Sequence, residues 1–180
     1  EGTYFETLEL HKNITVSGES GAASVIVDGN GGHPVVAISG SPVLRNLTVT
    51  GGGDSATTAG GISIAGGAPR LEGNIVSGNR GCMGGISLTD ASAVVVGNTI
   101  RDNVTSQCDG TAAGVNIVRG NVQLEANTIL NNSGAGGGGV SVIDGDSTTI
   151  RGNLIRGNQL TGSGAGTGGG GVRLTGSGQP

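Results

Sequence analysis

Chemistry in this chain has few places to sit: its 180 residues include 13 acidic, 9 basic and 2 histidine side chains. Charges gather at one spot, where Arg101, Asp102 and Asp109 fall close together beside Cys108. Carboxylates steered by an arginine are what acid–base cleavage of a sugar chain needs, so these three form a weak charged cluster. Asp144-Gly145-Asp146 has the letters of a calcium loop. It lacks the nine-residue Gly-Gly-x-Gly-x-Asp repeat, however, and stands where the chain must turn. His11 and His33 lie far upstream and are expected in exposed loops, which leaves no Ser-His-Asp arrangement. The glycine runs at 134–139 and 164–171 have neither the lysine nor the following helix of a phosphate cradle. No catalytic residue, metal site or cofactor is assigned.

Composition limits what could position such residues. Glycine supplies 40 positions, proline 4, and aromatics only 1% of the chain. The Gly-X-Y period of collagen is absent. No apolar run approaches the ~20 residues of a membrane span, so no membrane insertion is expected. A net charge of −4 with no basic stripe speaks against a nucleic-acid partner. With 34% hydrophobic residues, nearly all small aliphatics, a core is affordable only if its geometry repeats.

A repeat is present. Two small residues precede an apolar-x-apolar triplet, and two asparagines follow downstream. Gly60-Gly61-Ile62-Ser63-Ile64 leads to Asn74 and Asn79, and Gly84-Gly85-Ile86-Ser87-Leu88 to Asn98 and Asn103. Ala113-Gly114-Val115-Asn116-Ile117 leads to Asn127 and Asn132, and Gly138-Gly139-Val140-Ser141-Val142 to Asn153 and Asn158. The triplets begin at 8, 36, 62, 86, 115, 140 and 172, a spacing of 28, 26, 24, 29, 25 and 32 residues. Apolar and polar residues alternate within each copy, the period of a strand, and no helical stripe is visible. Three short strands per coil, stacked in parallel, make a parallel β-helix. The expected fold is all-β, one domain over residues 1–180, with six to seven coils. The chain is read as starting and stopping on the same strand without a cap, as expected of a solenoid segment or of open ends.

The asparagines are expected at the corners, where Asn tolerates the left-handed conformation and its amide can bond along the axis. One ladder comprises Asn74, Asn98, Asn127 and Asn153. The other comprises Asn30, Asn79, Asn103, Asn132 and Asn158, with Gly52 filling a gap. Insertions vary between the second asparagine and the next Gly-Gly, along one edge. Cys82 and Cys108 fall in that corner on successive coils, and strands ~4.8 Å apart lie within the span of a disulfide. A Cys82–Cys108 bridge is expected over two idle thiols, and with it an oxidising, extracellular or cell-surface setting.

The stretch Gly2-Thr3-Tyr4-Phe5-Glu6-Thr7-Leu8-Glu9-Leu10 is followed by Asn13-Ile14-Thr15-Val16-Ser17-Gly18-Glu19 and Val25-Ile26-Val27-Asp28-Gly29. It resembles the opening coil of secreted members of the pectin lyase-like superfamily, the right-handed parallel β-helix repeat proteins. Gly-Gly-Ile with a downstream Asn is also similar to polymorphic outer-membrane adhesins, without their aromatic position. The resemblance covers essentially the whole chain and implies a right-handed coil. It also implies that a ligand groove, if used, runs beside the first strand, with Ser63, Ser87, Asn116 and Ser141 as its candidates. The outward column there reads Glu9, Ala37, Ser63, Ser87, Asn116, Ser141, Arg173, with no two carboxylates adjacent. The expected function is an extracellular structural or adhesive module without catalysis: a stalk, a surface-protein repeat or a fibre subunit. Its expected partners are further copies stacked head to tail, or flanking coils. The alternative is a carbohydrate-binding or polysaccharide-degrading protein with a polysaccharide in that groove.

Overall fold

The computed structural model of the chain describes residues 1–53, 59–105, 111–145, 147–161 and 169–176. It is an all-β parallel solenoid, and every strand pair runs parallel. The first sheet stacks Leu8–Leu10, Val36–Ile38, Ile62–Ala65, Ile86–Ala91, Val115–Gly120, Val140–Ile143 and Val172–Thr175. The second stacks Thr15–Ser17, Val43–Arg45, Arg70–Glu72, Val94–Val96, Gln123–Glu125 and Thr149–Arg151. The third stacks Gly2–Phe5, Val25–Asp28, Thr48–Thr50, Ile75–Ser77, Thr99–Arg101, Thr128–Leu130 and Leu154–Arg156. Three strands per coil and about six turns agree with the repeat. The chain does not enter on the strand on which it closes: Gly2–Phe5 pairs in the third sheet and Val172–Thr175 in the first.

Alternation within each short strand decides what fills the interior. Ile62, Ile86, Val115 and Val140 stack at one inward position of the first sheet, and Ile64, Leu88, Ile117 and Val142 at the next. Leu44, Leu71, Val95 and Leu124 form the inward column of the second sheet, and Val49, Val76, Ile100 and Ile129 that of the third. All are buried in one continuous core. The columns need one aliphatic side chain per rung, and so the core tolerates the near absence of aromatics.

The corners correct one expectation. The left-handed residue is not the ladder asparagine but the residue before it. Asn46, Gly73, Gly97, Ala126 and Gly152 have φ of 55, 61, 65, 52 and 64° ahead of the first ladder. Gly51, Gly78, Asp102, Asn131 and Gly157 have φ of 69, 67, 55, 52 and 66° ahead of the second. That residue turns the chain and aims the following side chain inward.

Each ladder asparagine flanked by another on both sides is then fully paired. The Asn103 Oδ1 accepts from the backbone N–H of Asn79 at 3.1 Å and from its Nδ2 at 3.0 Å. The Asn103 Nδ2 donates to the Val76 carbonyl at 3.0 Å and to the Asn132 Oδ1 at 3.0 Å. The pattern recurs through Asn74, Asn98, Asn127 and Asn153, and through Asn79, Asn132 and Asn158. Asn30 is a correction: it is exposed at φ 47° and belongs to no ladder, its N–H being held by Asp28 Oδ1. The second ladder ends instead where the Gly52 N–H donates to Asn79 Oδ1 at 3.0 Å.

Directly after the second ladder, a further parallel ladder forms from Arg80–Gly81, Val104–Thr105, Ser133–Gly134 and Gln159–Leu160. The sequence reading assigns these residues to variable loops. The chain then returns to the first sheet through its paired small residues. A Cβ on Gly85 would stand 2.6 Å from the Gly114 carbonyl oxygen and 3.0 Å from the Asn103 Nδ2. Only glycine lets adjacent coils and the asparagine ladder approach this closely.

Candidate functional site

The outer face of the first sheet is the site to test. Backbone pairing places Glu9, Ala37, Ser63, Ser87, Asn116, Ser141 and Arg173 in one row, one residue per coil. The structure therefore brings Ser63, Ser87, Asn116 and Ser141 together as expected, but it does not leave them open. Ser63 is half-buried, while Ser87, Asn116 and Ser141 are 3%, 0% and 0% exposed. The face expected to form a groove is closed along these three rungs.

Met83 contributes to this closure, and sequence reasoning passed over it. It follows the short ladder that begins at Arg80, and an isolated bridge pairs it with Ala59. The Ser87 hydroxyl donates to the Met83 sulfur at 2.9 Å, and the Asn116 Nδ2 lies 3.4 Å from the same atom. Thioether sulfur is a weak acceptor, so these polar groups are held rather than activated. The only signal in the sequence is that this is the one methionine in the chain, placed within the Gly-Cys-Met-Gly-Gly segment. Further along the row, the Asn116 Oδ1 and the Ser141 Oγ are buried without a hydrogen-bond partner.

Of the weak charged cluster, Arg101 and Asp102 are the described members, and they stand at the end of a strand of the third sheet. The Arg101 Nη1 donates to the Asp102 carboxylate at 2.6 Å, both groups being about half exposed. Asp109 and Cys108 lie outside the described residues. Cys82 is buried one residue past the Arg80–Gly81 strand, and its carbonyl accepts from the Thr111 hydroxyl at 2.8 Å. Among the described residues, no three His, Cys, Asp or Glu side chains stand close enough to hold a metal ion.

The remaining charges mark corners and strand ends. Arg119 makes a two-pronged ion pair with Asp90, at 2.7 and 2.9 Å, on adjacent coils where both residues have positive φ. The hydrogen bond from Arg119 holds the Asp90 carboxyl below its ordinary range, and Asp90, then Asp144, raises the guanidinium. Glu72 stands beside Arg45 in register but is taken by Arg70 on its own strand, at 3.2 Å. The hydrogen bond and charge of Arg70 lower its carboxyl, with a smaller contribution from Arg45. Glu125 and Arg151 pair across adjacent coils at 3.2 Å. His11 is exposed, with Nδ1 2.7 Å from the Ser39 hydroxyl and Nε2 3.4 Å from Glu9. Such solvent-exposed pairs add little to stability, because water and salt screen them.

Against known families, the model of the right-handed beta helix region matches residues 12–179. Comparisons with curated proteins and with solved structures return no match.

Proposed function

Because the chain belongs to the right-handed β-helix family, we propose that it is a structural or adhesive module of an extracellular or cell-surface protein, without catalysis. The observation that carries this reading is the closed first-sheet face: three of its four polar candidates are buried, and its row holds no adjacent carboxylates. A sugar-cleaving site needs an acid and a base that reach solvent and substrate. Asparagine ladders along the axis, by contrast, support a stiff spacer whose length scales with coil number.

The setting rests on the cysteines. A Cys82–Cys108 bridge would join successive coils, and three observations support it. The strands that precede the two cysteines pair in register, Thr111 ties the far side of the segment to Cys82, and Cys82 is not a free thiol. Such a bridge fits an oxidising compartment.

The alternative, a carbohydrate-binding or polysaccharide-degrading protein, draws support from the unpartnered Asn116 Oδ1 and Ser141 Oγ, which a sugar hydroxyl could satisfy. A depolymerisation screen over neutral and acidic polysaccharides, with and without calcium, decides between them. The structural reading expects no product above the no-protein control, and turnover by the purified chain would overturn it.

A further inference from the structure

One contact on the first-sheet face is mismatched in strength. The Ser87 hydroxyl, at 2.9 Å, and the Asn116 Nδ2, at 3.4 Å, converge on the Met83 sulfur from adjacent rungs of one row. Both side chains are buried, and among the described residues neither of these donors has another acceptor. A thioether is a poor acceptor, so two buried donors are only partly satisfied there. Met83 is itself half-buried, which leaves it within reach of small solutes. Its backbone is held by the bridge to Ala59, but its unbranched side chain can retract to admit one more atom.

We propose that Met83 is an oxidation site whose product, the sulfoxide, is the form that the Ser87 hydroxyl and the Asn116 amide hold best, so that oxidation tightens the seal over these two rungs. A sulfoxide oxygen is a far stronger acceptor than a thioether sulfur and can take both hydrogen bonds. Oxidation of a packed methionine ordinarily disrupts its surroundings by adding a polar atom. Here the polar atom meets two donors already in place.

The co-reactant is a peroxide. The sulfur attacks one peroxide oxygen, the O–O bond breaks and an S–O bond forms. The transferred oxygen gives its proton to the departing hydroxide, which leaves as water. The sulfur is oxidised by two electrons and the peroxide is reduced by two. Both donors come from one row, so the two lone pairs of the sulfur face different surroundings and one sulfoxide epimer is favoured. This modification goes beyond the structural role proposed above and does not depend on it.

Hydrogen peroxide applied to the folded 180-residue chain provides the test. The chain has one methionine and no tryptophan, so peptide mapping by mass spectrometry assigns the added oxygen. Met83 should gain one oxygen without unfolding. Epimer-specific methionine sulfoxide reductases should then find one epimer in at least about tenfold excess, against near-equal amounts after oxidation in urea. In urea unfolding, the oxidised chain should have a midpoint at or above that of the reduced chain, whereas in Ser87→Ala the oxidised form should fall below the reduced one. Met83 left unoxidised until the chain unfolds overturns the proposal, as does an epimer mixture like that formed in urea. So does a fall in the parent's midpoint on oxidation, or the same shift in parent and variant.

Discussion

At the residue scale, the fold is held by carboxamides that no other side chain replaces. An asparagine in a ladder must accept two donors from the preceding coil and donate to two acceptors, one on each side. Alanine at Asn103 would orphan the Asn79 N–H and amide, and the Val76 carbonyl, inside a core where each unmet group costs about 1–3 kcal/mol. We expect Asn103→Ala to destabilise by at least about 3 kcal/mol, measured by urea unfolding. Asn103→Asp should do no better near neutral pH, because it keeps the acceptor but loses both donors. Asn30→Gly should change stability by less than about 0.5 kcal/mol, because that exposed position needs only a left-handed backbone. Ladder membership was legible from spacing for eight of the nine asparagines. Asn30 misled because the letter Asn serves both jobs, turning the chain and filling the ladder. The turning residue itself was hidden, since Asn46, Gly73 and Ala126 share a conformation and not a chemistry.

At the scale of strands and corners, exposed ion pairs finish the edges without deciding the fold. Glu72 titrates below its ordinary value of 4.5 because Arg70 donates to it. A carboxyl depressed in the folded state stabilises above the unfolded value, and that contribution is lost as pH falls through the folded one. Arg70→Ala should return the Glu72 titration toward 4.5 in a carbon-detected NMR experiment, with little change in overall stability. An unchanged titration would remove Arg70 as the cause. The three sheets were legible because period-two alternation survives even in three-residue strands. The short fourth ladder was not, because two residues such as Ser133–Gly134 show no alternation. The closing of the first-sheet face was hidden for a related reason. At Ser87 and Asn116 it depends on where a glycine-rich return carries Met83, and such a segment has no pattern to read.

For the whole molecule, coil number and register follow from the repeat, whereas function turns on whether one face is open. The central claim is that the row Ser87, Asn116, Ser141 is sealed, which is the observation the proposed structural role rests on. Alkylation of Ser141→Cys under non-reducing conditions tests this directly, with Ser63→Cys as a half-buried comparison and the unsubstituted chain as the baseline. With the proposed Cys82–Cys108 bridge, the account predicts no label on the unsubstituted chain. It predicts ready label at position 63, and label at position 141 at least about 100-fold slower than in the urea-unfolded protein. Labelling at 141 within a few-fold of the unfolded rate, in a variant that melts like the parent, would show an open groove and contradict the account.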